Sequence, residues 1–213
     1  MAGSLALGAA PSPARVMCVF IHGRTQSTEA MEAAVISRLK VTDVAYVLPR
    51  ADGASWYSTR AIDPLTGAAR AELARSIVDV AAVVVVVALQ VAAPGVPLVL
   101  AGFSQGACLA LELAFSGTVA AQALVAMTGC RVGSDGDRPA ILPFGLPVWL
   151  TTRQDDQWIP LTAFAQAVVA LGQAGARVRA EIFPARPHET STAEIALLDG
   201  ILGGLAARAV VRA

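Results

Sequence analysis

Leu98-Val99-Leu100-Ala101-Gly102-Phe103-Ser104-Gln105-Gly106-Ala107-Cys108-Leu109-Ala110-Leu111 reads as a short apolar strand, a G-x-S-x-G turn and the start of an alanine- and leucine-rich helix. Glycines two before and two after the serine let strand and helix approach closely around a strained turn that presents the hydroxyl. A bare pentapeptide of this pattern arises often by chance. A strand before it and a helix directly after it supply the context a nucleophile elbow needs.

Outward from this turn, the chain alternates. Val16 to Ile21 is a continuous apolar strand, and Ser27 to Leu39 has helical spacing with Met31, Ala34, Val35 and Leu39 on one side. Val44 to Leu48 is the next strand, followed by an irregular stretch from Arg50 to Gly67. Ala68 to Ala92 is expected to be helical despite five consecutive valines, because about twenty-five residues is far too long for one strand. Beyond the elbow, Ala121 to Thr128, Pro147 to Thr152 and Val178 to Phe183 read as strands; Leu161 to Gly175 and Thr192 to Ala209 read as helices. Strands without polar alternation, separated by helices, imply a mostly parallel central sheet covered on both faces. The expected fold class is α/β, one compact domain over residues 15–213 with no repeat, linker or long lid.

Composition narrows the function classes. The 213 residues suffice to bury a core without disulfide or metal staples. Zero formal net charge and 15% charged residues recommend no nucleic-acid or polybasic membrane partner. Hydrophobic content of 55% and mean hydropathy of +0.61 are high, so a membrane segment has to be tested. The most apolar run, Val80 to Ala93, contains Gln90 and stops at Pro94-Gly95, too short for a bilayer span and better explained as a helix buried against the sheet. Residues 1–14 are small and apolar but have no basic residue before the apolar part, so they are read as a frayed leader rather than a secretion signal. Cys18, Cys108 and Cys130 are odd in number and lie in expected strands or the elbow helix. They read as buried thiols in a reducing compartment, which points to the cytoplasm. The apolar composition leaves room for a homodimer face, although aliphatic residues also fill a two-sided sheet and nothing marks an exposed stripe.

In such sheets the chemistry collects in loops at the carboxyl ends of the strands. A serine hydroxyl is a poor nucleophile until a base removes its proton, and the usual base is histidine. Of the two histidines, His22 precedes Ser104 and His188 follows the last expected strand. The chain order of an elbow site, serine then acid then histidine, selects His188 and leaves His22 a structural role. The acid should lie between them, after a strand. Asp155 and Asp156 both follow the strand ending at Thr152, and spacing does not separate them. Asp135 and Asp137 sit in a glycine-rich polar loop and read as solvated turn residues. Charge on the carbonyl oxygen of a tetrahedral intermediate needs preorganised donors. The backbone N–H of Gln105, after the nucleophile, and that of Arg24, in the loop after the first expected strand, are the candidates.

Four stretches resemble the phospholipase, carboxylesterase and acyl-protein thioesterase family of α/β-hydrolases: Phe20-Ile21-His22-Gly23-Arg24-Thr25-Gln26, Gly102-Phe103-Ser104-Gln105-Gly106-Ala107, Asp156-Gln157-Trp158-Ile159-Pro160 and the Pro187-His188 loop. The likeness runs from about Val16 to the last helix. Its D-x-x-[VI]-P pattern places the acid on Asp156, and Ser55-Trp56-Tyr57 resembles a substrate-side element of bacterial members. Two departures stand out: Thr152-Arg153 where relatives usually carry His-Gly four residues before the acid, and Pro187 where many have glycine. They alter loop stiffness and pocket shape without removing a reacting group.

The resemblance implies hydrolysis of a small-molecule ester or thioester through an acyl-enzyme on Ser104, with His188 as base and Asp156 orienting it. No metal or organic cofactor is expected, since two distant histidines and no Cys-x-x-Cys offer none a site. Trp56, Tyr57, Phe103, Met127 and Trp158 lie near expected strand ends and are the pocket candidates. The first four read more readily as core than as pocket, and Trp158 reads as rim. A carboxylesterase for small to medium acyl esters is favoured over a thioesterase or lysophospholipase, and both over a non-catalytic binding protein that kept the fold.

Overall fold

The structure, a computed structural model, describes residues 4–10, 14–90, 95–134 and 142–210. Its centre is a seven-stranded sheet in the order β1-β3-β2-β4-β5-β6-β7. The strands are β1 (Ser4–Gly8), β2 (Val16–Ile21), β3 (Val44–Pro49), β4 (Leu98–Phe103), β5 (Ala123–Met127), β6 (Pro147–Arg153) and β7 (Arg177–Phe183). All pair in parallel except β1, which runs antiparallel to β3 with Ser4 opposite Pro49 and Gly8 opposite Ala45.

The helices are α1 (Thr28–Ala34), α2 (Gly67–Gln90), α3 (Gln105–Phe115), α4 (Leu161–Gln173) and α5 (Thr192–Val210). Side chains alternate along each strand, so an unbroken apolar run feeds both faces. Met17, Val19 and Ile21 of β2 pack with α2, α3 and α4; Val16, Cys18 and Phe20 pack with α1 and α5. Every residue of α3 is buried, which is why that helix carries almost no polar side chain. Of its two long polar side chains, Gln105 and Glu112, the second takes a two-pronged ion pair from buried Arg131 (2.7 and 2.9 Å) and an N–H from Val132 at 2.8 Å. The pair ties the loop after β5 to α3, and Arg131 also stacks over the Phe115 ring.

Several elements differ from the sequence expectation. Ser4–Gly8, read as part of a frayed leader, is an edge strand, because the open side of β3 offers it a hydrogen-bonding partner. The helix expected over Ser27–Leu39 stops at Ala34. Ser27 caps its start by accepting Ala30 N–H, and a 3-10 turn over Ile36–Arg38 follows. The valine run is helical but only half covered. Val80, Val84 and Val87 meet the sheet, whereas Val78, Val85, Val86 and Leu89 are exposed, with Leu89 at 81%. A helix against a flat sheet buries only one stripe at three- and four-residue spacing. Residues 91–93 of the run, and Asp135 and Asp137, lie outside the described residues. No described helix is long and apolar enough to cross a membrane. Cys18, Cys108 and Cys130 are buried and unbridged.

Candidate active site

β4 is the middle strand of the sheet, and Ser104 follows it directly. Ser104 has φ 53° and ψ −120°, a strained conformation for a residue with a side chain. Its N–H is held by Met127 O at 2.9 Å, so the turn is pinned to the neighbouring strand. The flanking glycines make the turn sterically feasible. A Cβ on Gly106 would sit 2.1 Å from Ile21 O and 2.5 Å from His22 O; one on Gly102 would sit 2.6 Å from the Gly106 carbonyl. The helix α3 therefore starts against the backbone of β2, with its N-terminal N–H groups and positive dipole end beside the Ser104 side chain.

His188 comes from the loop after β7 and Asp156 from the loop after β6. His188 Nε2 is 2.9 Å from Ser104 Oγ, and His188 Nδ1 is 2.7 Å from Asp156 Oδ2. Asp156 Oδ1 accepts the N–H groups of Trp158 (2.8 Å) and Ile159 (2.9 Å). Burial pushes this carboxyl up, but the hydrogen bonds from His188, Ile159 and Trp158 and the His188 charge outweigh it and hold Asp156 well below the usual carboxylate range. A carboxylate accepting from Nδ1 fixes the neutral tautomer that leaves Nε2 free to accept the serine proton. Asp155, adjacent in sequence, has φ 57° and an exposed side chain; the turn that buries Asp156 points its neighbour outward.

His22 is elsewhere engaged. Its Nε2 accepts Ala51 N–H at 3.2 Å, its Nδ1 lies 2.8 Å from Gly23 O, and burial lowers its pKa, so it is a neutral spacer under the first loop. In that loop Gly23 N–H donates to Gln26 Oε1 (3.0 Å), Thr25 N–H to Ala54 O (2.7 Å) and Gln26 N–H to Gly23 O (3.2 Å). The Arg24 N–H has no partner among the described residues, and the N–H of Gln105, at the first position of α3, has none either.

A cavity of about 420 Å³ opens beside Ser104 and His188, with Arg24, Gln105, Tyr57, Phe103 and Trp158 in its wall. Trp158 is 48% exposed and forms the rim, and the Phe103 ring lies 5.1 Å from the His188 ring. Two pocket candidates are misplaced by the sequence reading. Met127 shares the strand face of Ala123 and Val125, which packs on α5, and is fully buried there. Trp56 lies under the loop, donating Nε1–H to His22 O at 2.8 Å with its ring 4.8 Å from the imidazole, and does not line the cavity.

The structure also adds residues that the sequence did not single out as side chains. The Arg24 guanidinium donates to the carbonyls of Tyr57, Ser58 and Thr59. The Gln105 amide accepts Trp56 N–H at 3.0 Å and donates to Tyr57 O at 2.8 Å. Arg60, Thr25, Gln26, Cys108 and Ile159 complete much of the lining. Arg153 pairs with Asp156 at 2.8 Å. Among the described residues no three His, Cys, Asp or Glu side chains gather into a metal-binding set.

The sheet order, the strained serine between β4 and α3, and the acid and histidine on later loops at the same end of the sheet define an α/β-hydrolase. The chain belongs to the phospholipase/carboxylesterase family, whose model matches residues 5–202. Among solved structures it is similar to a phospholipase/carboxylesterase from Dyadobacter fermentans, with 26% identity, a TM-score of 0.82 and coverage of 95% of this chain and 96% of that one. The fold is shared with acyl-protein thioesterase 2 of Zea mays (15% identity, TM-score 0.76, coverage 97% and 100%). It is also shared with a carboxylesterase of Mesorhizobium loti (19% identity, TM-score 0.73, coverage 93% of each). No curated protein sequence matches the chain significantly. Family membership makes the protein a hydrolase of the esterase kind.

Proposed function

We propose that the protein cleaves small to medium carboxylic esters through an acyl-enzyme on Ser104. The observation that carries this reading is the continuous chain from Ser104 Oγ to His188 Nε2 (2.9 Å) and from His188 Nδ1 to Asp156 Oδ2 (2.7 Å). His188 takes the Ser104 proton as Oγ attacks the acyl carbonyl. The tetrahedral oxyanion is met by the N–H groups of Arg24 and Gln105, each without another partner among the described residues, at the positive end of α3. Collapse expels the alkoxide, which takes the proton from His188. Water, deprotonated by the same imidazole, then attacks the acyl carbon and releases the acid and free Ser104. Asp156 stays ionised throughout and stabilises the imidazolium.

The cavity of about 420 Å³ falls at the small end of ligand pockets, which supports short and medium acyl groups over a long lipid chain. A thioester or lysophospholipid substrate is the second reading; the same chemistry serves it, and acyl length separates the two. The three buried, unbridged thiols support a reducing compartment such as the cytoplasm. The test is a fluorophosphonate probe with peptide mass spectrometry and Ser104→Ala as control. Stoichiometric labelling confined to Ser104 is expected, with p-nitrophenyl ester turnover peaking at short or medium acyl length. A folded protein without an adduct would overturn the reading in favour of a binding protein.

A further inference from the structure

Arg153 is 8% exposed and ends β6, three residues before Asp156. Its Nε donates to Asp156 Oδ2 at 2.8 Å, the same oxygen that His188 Nδ1 contacts at 2.7 Å. Its Nη1 donates to the carbonyl oxygen of Arg186, two residues before His188. With Trp158 and Ile159 N–H on Oδ1, the carboxylate has four donors, about its full capacity, and cannot rotate without breaking one. The loop is stapled at its far side as well. Arg186 Nη2 is 2.7 Å from Glu194 Oε2, and buried Glu194 also accepts the N–H and Oγ–H of Ser191 and, on Oε1, Oγ–H of Thr151 at 2.7 Å.

We infer that Arg153 is a positioning residue that sets acid and base together, sharing the Asp156 oxygen with His188 while tethering the backbone of the loop that carries His188. The inference rests on the roles proposed above for Ser104, His188 and Asp156. Losing Arg153 removes one donor from the Asp156 oxygen that His188 also contacts and releases the Arg186 carbonyl, so the two loops lose their shared anchor. The other charges around the imidazole are committed elsewhere. Arg186 faces Glu194 and Glu189 O, Arg24 faces the carbonyls of residues 57–59, Arg60 reaches Gln157 O, and Glu189 is exposed next to His188.

The test is the steady-state kinetics of p-nitrophenyl butyrate hydrolysis by wild type, Arg153→Gln and Arg153→Lys, with kcat and KM separated and fluorophosphonate occupancy of Ser104 measured on each. Arg153→Gln should lower kcat about tenfold with KM within about twofold of wild type, because acid and base lose their shared tether while the cavity wall is untouched. A lysine keeps a donor for Asp156 but cannot reach the Arg186 carbonyl as well, so the kcat of Arg153→Lys should fall several-fold, less than that of Arg153→Gln. An Arg153→Gln enzyme with the wild-type kcat, or with a loss confined to KM, overturns the inference. Should that variant not fold, a Lys variant with the full wild-type kcat overturns it instead. Failure of Ser104 to label in wild type would sink the underlying mechanism, an outcome distinct from an unchanged kcat in Arg153→Gln.

Discussion

Gly106→Ala is a sharp test of how this chain assembles its site. The added Cβ would lie 2.1 Å from Ile21 O and 2.5 Å from His22 O, so it falls short of ordinary van der Waals separation by about 1 Å. Both obstructing atoms belong to the backbone, one at the end of the fully buried strand β2 and the other just after it, so no rotamer change relieves the clash. Relief requires α3 to back away from β2, against eleven buried helix residues. Overpacking costs 1–3 kcal/mol where side chains can give; a clash with two fixed carbonyls should cost about 3–4 kcal/mol. For a domain of this size that lowers Tm by about 10 °C. A helix displaced by about 1 Å carries Ser104 and Gln105 with it, so kcat/KM measured well below the transition should fall about a hundredfold. Gly200→Ala is the control: it lies within α5 with nothing within 4 Å of the added methyl, and alanine should raise stability by about 0.5–1 kcal/mol. The assays are thermal unfolding and p-nitrophenyl ester hydrolysis on the same preparations. A Gly106→Ala protein with unchanged Tm and rate would refute the contact between α3 and β2 as the reason for the glycine.

Asp156→Asn should reduce kcat by about 10³- to 10⁴-fold by spoiling the tautomer of His188, while Asp155→Asn, on an outward-facing side chain, should stay within about twofold of wild type. Steady-state kinetics decide it; equal losses at the two positions would contradict the geometry. A pH effect on stability is expected from His22, whose pKa burial holds below its ordinary value. Below about pH 6.5 the unfolded chain binds a proton that the folded ring resists, so stability falls as pH drops from there toward the lowered folded value and is unaffected above it. Urea midpoints at pH 8 and pH 5 should therefore differ less in His22→Gln than in wild type; an equal difference would show that His22 is not the group responsible.

The parts of the fold that sequence made legible are those where local pattern and tertiary outcome coincide. β2 and β4 are unbroken apolar runs because both faces of the sheet are covered, and the glycines around Ser104 record a backbone approach that only they permit. Ser4–Gly8 carries no such signal, since its strand character comes from the free edge of β3. The valines of α2 misled in another way: composition counts apolar residues but not which stripe meets the sheet, and Leu89 faces solvent as a result. Met127 followed the parity of its own strand to the far face, which position near a strand end does not reveal. Spacing left Asp155 and Asp156 open and only the family pattern chose the second; the physical reason, the positive φ that turns Asp155 outward, is a property of the turn rather than of either residue's chemistry. Arg153 was visible only as a change in loop character, because its role depends on two loops meeting in space.

Arg24 and Gln105 show why backbone and side-chain roles converge on so few positions here. Each has a backbone N–H without another partner among the described residues, and each also spends its side chain on the carbonyl of Tyr57, at 3.0 Å from Arg24 Nη2 and 2.8 Å from Gln105 Nε2. The segment 56–59 has no regular secondary structure of its own; these bonds, with those from Ser58 N–H to Glu72 and from Ser76 Oγ–H to Trp56 O, hold it so that Tyr57 lines the cavity. The donors proposed for the oxyanion and part of the cavity wall are thereby placed by the same two residues, and neither can shift without the other. Preorganisation of this kind matters because donors aimed before the reaction begins need no reorganisation when charge develops. A glutamine directly after Ser104 thus does one thing that alanine or leucine there could not. Its main chain serves any elbow of this type, while its amide, fixed by one accepted and one donated bond, builds the wall particular to this site.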